Sequence, residues 1–265
     1  MLAQSRTPEG QAALDALVAD PEHGVVALDY DGTLAPITTR PEDAVPAPGA
    51  LAALTACATT FGTVAIVTGR PAAVVVSLAG AATVDRLVVL GHYGEERWTA
   101  ADGLTRPPEH PGLAEARKAL RGHFDDSAIE EKGISVAVHT RAAPDPDAAL
   151  AEAVPVVERI AKETGLAVNH GRYLVELRAP GARDKRDAVL SLTAGANALL
   201  FAGDDLVDLP AYEAVEEFRA GGGRGVGLFV DNPEAASVRD RADVVVPDTA
   251  ACVAFLDALA RAAHR

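Results

Sequence analysis

Val25-Val26-Ala27-Leu28-Asp29-Tyr30-Asp31-Gly32-Thr33-Leu34 is the stretch on which the fold turns. Four apolar residues climb to Asp29, a second acid follows at Asp31, and Gly32-Thr33 turn the chain. A short apolar run closed by acid predicts a buried parallel strand that delivers its last side chains to the rim of a sheet. In open α/β sheets the carboxyl rim is where ligands bind. Asp-x-Asp at such a rim suggests a nucleophile and a proton-transfer partner sharing a cation. A turn with solvated acids and a partial calcium-binding loop are the rival readings; the calcium loop fails, because Thr33 stands where a third acid is needed and no Glu falls at the closing position.

Outward from this stretch the pattern is regular. A helix is expected over 11–19, stopped by Pro21-Glu22-His23-Gly24. A proline-rich loop (35–48) follows the strand, then a helix over 49–60, a strand over 63–67 ending in Thr68-Gly69-Arg70, a helix over 72–79 and a strand over 87–90. Alternation of this kind implies a parallel sheet with helical crossovers. Next come a helix over 112–124, short strands over 128–131 and 134–139 around Lys132-Gly133, a helix over 148–164 closed by Gly165, and strands over 166–169 and 173–177 around His170-Gly171-Arg172. Helix and hairpin twice over is an α+β unit. Beyond Pro180 the α/β pattern resumes: helix 187–192, strand 198–202 running into Gly203-Asp204-Asp205, helix 210–218, strands 225–230 and 244–246, and a closing helix over 250–263. The expectation is an α/β fold, a Rossmann-like parallel-sheet core (1–107 and 181–265) carrying a smaller inserted α+β domain (108–180).

The 265 residues are 49% hydrophobic but only 4% aromatic, so the core must be mainly Ala, Val and Leu. A formal charge of -14 argues against nucleic acid or anionic membrane as a partner, and a bound phosphate would need a local cation. Cys57 and Cys252, the two cysteines, read as small buried hydrophobes rather than a disulfide. No apolar run approaches about 18 residues and the first ten lack a signal core. A soluble, cytoplasmic protein, monomeric by default, is expected.

The positions that bear chemistry end parallel strands or lie beside one: Asp29 and Asp31, Thr68, Lys185, and Asp204 with Asp205 and Asp208. Carboxylates gathered on one rim repel and need a cation to stay ionised. All-oxygen ligation without nearby Cys or His points to Mg2+, which commonly shares its site with a phosphoryl group. Asp29, Asp31, Asp204 and Asp205 are the metal-ligating candidates. Catalytic roles go to Asp29 as nucleophile, Asp31 as proton donor and acceptor, Thr68 as a hydrogen-bond donor to phosphoryl oxygens and Lys185 as charge neutraliser, with Arg183 or Arg186 as its fallback. Asp208 either caps the next helix or orients Lys185.

In this order, Asp-Tyr-Asp-Gly-Thr-Leu, Val-Thr-Gly-Arg, Asp-Lys and Gly-Asp-Asp-x-x-Asp resemble the four motifs of the haloacid dehalogenase superfamily of Mg-dependent phosphatases. The insert resembles that superfamily's larger α/β cap. Ile129 to Arg141 is similar to the Glu-x-Lys-Gly…His-x-Arg segment of trehalose-6-phosphate phosphatases, and Gly91-His92-Tyr93-Gly94-Glu95-Glu96 and Val175-Glu176-Leu177-Arg178 match the same family. The sequence departs from it at Arg186 (usually Gly), Leu209 (usually an acid) and Thr140 (often aromatic). The resemblance implies that Thr33, Gly69, Arg70, Glu130, Lys132, His139, Arg141 and Glu176 bind substrate, a sugar phosphate. Cross-strand charge pairing is the plainer reading of Glu130, Lys132 and Arg141. The expected activity is hydrolysis of trehalose 6-phosphate through an aspartyl-phosphate on Asp29. The rivals are a phosphatase for another sugar phosphate, such as sucrose 6-phosphate or glucosylglycerol phosphate, and a non-catalytic sugar-phosphate-binding protein.

Overall fold

Residue by residue, the apolar runs become strands and the alanine-rich stretches become helices. The computed structural model describes residues 4–264. Helix α1 (Pro8–Ala19) starts where Thr7 accepts the Gly10 N–H and Pro8 supplies a helical φ. Then follow β1 (Gly24–Leu28), α2 (Ala50–Thr60), β2 (Thr63–Val67), α3 (Ala72–Ala79), β3 (Leu87–Gly91), β4 (Glu96–Thr99) and β5 (Gly103–Thr105). Helix α4 (Gly112–Arg121), β6 (Ile129–Glu131), β7 (Ser135–His139), α5 (Pro146–Thr164), β8 (Ala167–Gly171) and β9 (Leu174–Arg178) come next. The chain closes with α6 (Lys185–Ser191), β10 (Ala198–Gly203), α7 (Leu209–Ala220), β11 (Arg224–Val230), α8 (Ala236–Arg239), β12 (Val244–Val246) and α9 (Thr249–Ala263).

Two compact units result, one formed by residues up to Arg106 and from Arg183 onward, the other by Pro107–Ala182. The first holds an eight-stranded sheet in the order β12-β11-β10-β1-β2-β3-β4-β5. From β12 to β3 all neighbours are parallel. All five residues of β1 are buried, with Val26 and Leu28 in the core under α1, α2, α3 and α9, and Val25 and Ala27 in the core under α6 and α7. Burial on both faces is why the strand reads as an unbroken apolar run rather than an alternation. Leu28 pairs with Ala202 on one side and Ile66 on the other. That register brings Asp29, Gly203 and Val67 level at the carboxyl rim. The chain proceeds from β1 to β2 and β3 on one side, and from β10 to β11 and β12 on the other. Next to β1 lies the switch point at which such sheets bind ligands.

Besides shifts of a few residues at element ends, the structure differs from the sequence expectation at strands β4 and β5, at the β8–β9 turn and at the start of α6. Strands β4 and β5 extend the sheet antiparallel beyond β3 and were not anticipated. They have only four and three residues, too short for a period to register, and Glu96 alone among them is buried. The turn between β8 and β9 centres on Arg172-Tyr173, with Tyr173 at φ 59°, not on Gly171, which pairs with Leu174 inside the ladder. Helix α6 begins at Lys185, two residues before the predicted start, because Asp184 caps it by accepting the Asp187 N–H.

The second unit is an antiparallel sheet in the order β6-β7-β9-β8, with α4 and α5 on one face. Val136, Val138, Val175 and Leu177 alternate into that core with Leu113, Leu120, Val157 and Ile160. The other face carries polar side chains. Among the described residues no helix is long and apolar enough to cross a membrane.

Candidate active site

The carboxyl rim beside β1 gathers the acids, and the backbone decides which of them turn inward. Asp29 continues β1, its N–H bound to Ala202 O at 2.8 Å. Asp204 follows β10, and both side chains are buried. Gly32 sits at φ 79°, a left-handed conformation that glycine adopts without cost, and a Cβ there would fall on the Asp204 carboxylate. The glycine of the Asp-x-Asp-Gly motif thus lets two loops of distant sequence meet.

Lys185, the first residue of α6, is buried and donates to Asp29 Oδ1 at 2.5 Å and to Asp208 Oδ1. The other oxygen of Asp208 accepts the backbone N–H groups of Asp204 (2.9 Å) and Asp205 (3.1 Å). Carboxylate oxygens of Asp29, Asp204 and Asp208 lie within 4.8 Å of one another. Of the four residues expected to bind metal, Asp29 and Asp204 fall in this set. Asp205 instead caps the turn after it, accepting the Leu206 N–H, and Asp31 is held elsewhere. Asp208 completes the set, orients Lys185 and ties the loop; it stands at the start of α7, but its side chain makes no capping bond to that helix. Both Asp208 oxygens carry donors, whereas Asp29 is bonded by Lys185 through Oδ1 alone, so Asp29 and Asp204 are the acids with oxygens that could hold a cation.

Three acids against one ammonium leave the cluster short of positive charge. Burial pushes the Asp29 carboxyl well above the usual carboxylate range; Lys185 opposes this, while Asp208 and Asp204 add to it. Burial and the Asp208 and Asp205 carboxylates push Asp204 up to about 7. On Lys185 burial works against the charge, but Asp208 and Asp29 outweigh it and hold it protonated. A hard divalent cation fits this oxygen-only, charge-deficient cluster and would restore ionisation of both acids.

Asp31 and Arg70 make a bidentate pair, with Nε to Oδ2 and Nη2 to Oδ1 both at 2.7 Å. Arg70 was expected to bind substrate; its guanidinium is instead engaged with Asp31, with Pro41 O and with the Tyr30 ring. Thr68, buried at the end of β2, accepts the Arg70 N–H at 3.1 Å. Thr33 is buried too and lies 3.5 Å from Asp204 Oδ1, beside the metal candidates rather than open to solvent. Gly69 leaves room for the Tyr93 ring, whose hydroxyl a Cβ would approach to 2.6 Å. Arg186 pairs with Glu217 on α7, away from the acids.

In the inserted unit Glu130, Lys132, His139 and Glu176 join on the polar face of the sheet. Glu130 Oε2 meets His139 Nε2 at 2.7 Å and Lys132 Nζ at 3.5 Å, and Lys132 reaches Glu176 Oε1 at 3.5 Å. The bond from His139 and then the charge of Lys132, working against partial burial, bring Glu130 down to about 2. Glu176 is buried, accepting from Ser135 Oγ (2.7 Å) and Asn169 Nδ2 (3.3 Å). Arg141, exposed just past β7, stands outside this network.

Sequence reasoning missed Ser135 and Asn169, and also Asn232, whose Nδ2 lies 3.5 Å from Asp204 Oδ2. Asn232 follows β11 by two residues, so asking what ends each parallel strand would have found it.

Known proteins agree with the fold. The structure of Aspergillus fumigatus trehalose-6-phosphate phosphatase superposes with a TM-score of 0.70 over 98% of this chain and 99% of that one, at 20% identity. An uncharacterized glycosyl hydrolase of Mycobacterium tuberculosis is 33% identical over 82% of this chain, which spans 17% of that protein. A trehalose-phosphate phosphatase of Mycolicibacterium paratuberculosis is 34% identical over 98% of this chain, which spans 66% of its length. The trehalose-phosphatase family profile matches residues 27–242. By that match the chain belongs to the trehalose-phosphatase family.

Proposed function

We propose that the protein is a phosphatase that hydrolyses trehalose 6-phosphate to trehalose and phosphate, with Asp29 as its nucleophile. The observation that carries this reading is the buried Asp29–Lys185–Asp208 chain beside Asp204, at the sheet's switch point. Mg2+ is the cation proposed for it: held by Asp29 and Asp204, it would neutralise charge on the phosphoryl oxygens. Lys185 keeps Asp29 aimed and adds a second positive charge to the transferring group. An Asp29 oxygen attacks phosphorus as the ester P–O bond breaks, and its electron pair leaves on the sugar oxygen, which takes a proton from Asp31. Water then attacks the aspartyl-phosphate, losing its proton to Asp31, and phosphate departs. The Thr68 hydroxyl and backbone N–H groups after Asp31 would hold the phosphoryl oxygens.

For the sugar the proposal uses the inserted unit. Glu130, Lys132, His139 and Glu176 offer charged hydrogen-bonding groups suited to a hydroxyl-rich disaccharide. The insert is read as the specificity domain on that ground. A cytoplasmic setting is supported by Cys57 and Cys252, both free and buried.

The test is phosphate release across trehalose 6-phosphate, sucrose 6-phosphate and glucosylglycerol phosphate, with Mg2+ and without. Trehalose 6-phosphate should be the best substrate and chelation should stop turnover. Asp29→Asn should abolish release while leaving the fold intact. A different preferred ester would move the substrate assignment, and unchanged turnover in Asp29→Asn would refute the mechanism.

A further inference from the structure

Arg70 makes more contacts with Asp31 and its surroundings than a phosphate-binding arginine needs. Nε and Nη2 take one Asp31 oxygen each at 2.7 Å, the remaining Nη1 donates to Pro41 O at 2.7 Å, and the guanidinium carbon lies 5.9 Å from the centre of the Tyr30 ring. The Arg70 side chain is 18% exposed while Asp31 is 38% exposed, so the arginine supports the acid from beneath. Its backbone is fixed as well, through the N–H bond to Thr68 Oγ1. Tyr30 anchors the same segment by donating to Ala44 O at 2.7 Å. A carboxylate two residues past a strand end, on a turn through Gly32, would otherwise swing among rotamers. A planar fork with two parallel bonds removes that freedom, which a lysine's point charge does not.

We infer that Arg70 is the positioning residue for Asp31: clamped between the Pro41 carbonyl and the Tyr30 ring, it aims the proton-transfer carboxylate at the leaving oxygen. The inference rests on the proposed role of Asp31, and it moves Arg70 out of the substrate-binding set.

Leaving-group chemistry separates the possibilities. In the first step the P–O ester bond breaks with its electron pair on the leaving oxygen. An alkyl oxygen needs the Asp31 proton, whereas a nitrophenolate departs without it. Values of kcat/KM report this step, so trehalose 6-phosphate and p-nitrophenyl phosphate should be compared in Arg70→Met, Arg70→Lys and Asp31→Asn, with thermal unfolding to check folding. Arg70→Met and Arg70→Lys should each lose roughly tenfold or more in kcat/KM for the sugar ester and a few-fold at most for the aryl ester, part of the ~100-fold or more that proton transfer contributes. Adding guanidinium ion to Arg70→Ala should recover the sugar-ester reaction selectively. Equal losses on both esters in the Arg70 variants, while Asp31→Asn discriminates between them, would overturn the positioning role and leave Asp31 as the acid. Failure of Asp31→Asn to discriminate would overturn the acid assignment itself.

Discussion

Asp204 is where the residue scale has the sharpest consequence. Its carboxyl, pushed up to about 7 by burial and by Asp208 and Asp205, is largely protonated in the metal-free protein under mildly acidic conditions. The sign follows from which state releases the proton first. The unfolded chain ionises near its ordinary 3.8, so raising the pH from there toward about 7 favours unfolding, and the metal-free protein loses stability through that window. Mg2+ needs the ionised acid. The rise in Tm on adding Mg2+ should therefore be larger at pH 8 than at pH 6, measured by thermal unfolding with and without chelator; an increment independent of pH would dissociate Asp204 from the metal.

At the scale of elements, the turn after β1 is built around one backbone angle. Gly32 holds φ 79° and leaves the space that the Asp204 carboxylate occupies. Gly32→Ala adds a Cβ in a left-handed conformation, costing about 1–2 kcal/mol, and displaces Asp204. We expect roughly 10–100-fold weaker Mg2+ binding by calorimetry, the scale seen when a ligand's support is lost. Retained affinity would mean that the loop can move without moving the ligand. The elements also show what a sequence reveals. Strand β1 and its parallel neighbours were legible because two-sided burial writes continuous apolar runs, and the rim was legible because those runs end in Asp29, Thr68 and Gly203-Asp204. The ligand set was not, since whether Asp205 or Asp208 turns inward depends on hydrogen bonds to backbone N–H groups that residue type does not encode. Nor was Arg70's partner, because its motif places it beside the site without saying which way the guanidinium points.

On the scale of the molecule, the inserted unit has its own core of Leu, Ile and Val between one sheet and two helices. Ile160 on α5 is fully buried there, so Ile160→Ala should cost about 2–5 kcal/mol, read by chemical denaturation. Near-neutral behaviour would mean the cavity collapses and the core is loosely packed. The insert's hydrophobic pattern was readable as alternation in β7 and β9. Its polar face was readable only through resemblance, since Glu130, Lys132 and Arg141 alone look like ordinary cross-strand pairs, and the roles of Ser135 and Asn169 emerge only once register sets them beside Glu176.

The cluster of Asp29, Asp204 and Asp208 around Lys185 carries two more acids than ammonium groups. In kinetic terms, the proposed function predicts a sequence of arrivals. A phosphate ester is itself a dianion, and once these acids are ionised it meets repulsion on this rim. On the proposed function, the ester's place is made only after positive charge has been loaded, so ordered binding is the expected outcome, with cation first and substrate second, and product-inhibition kinetics would check it.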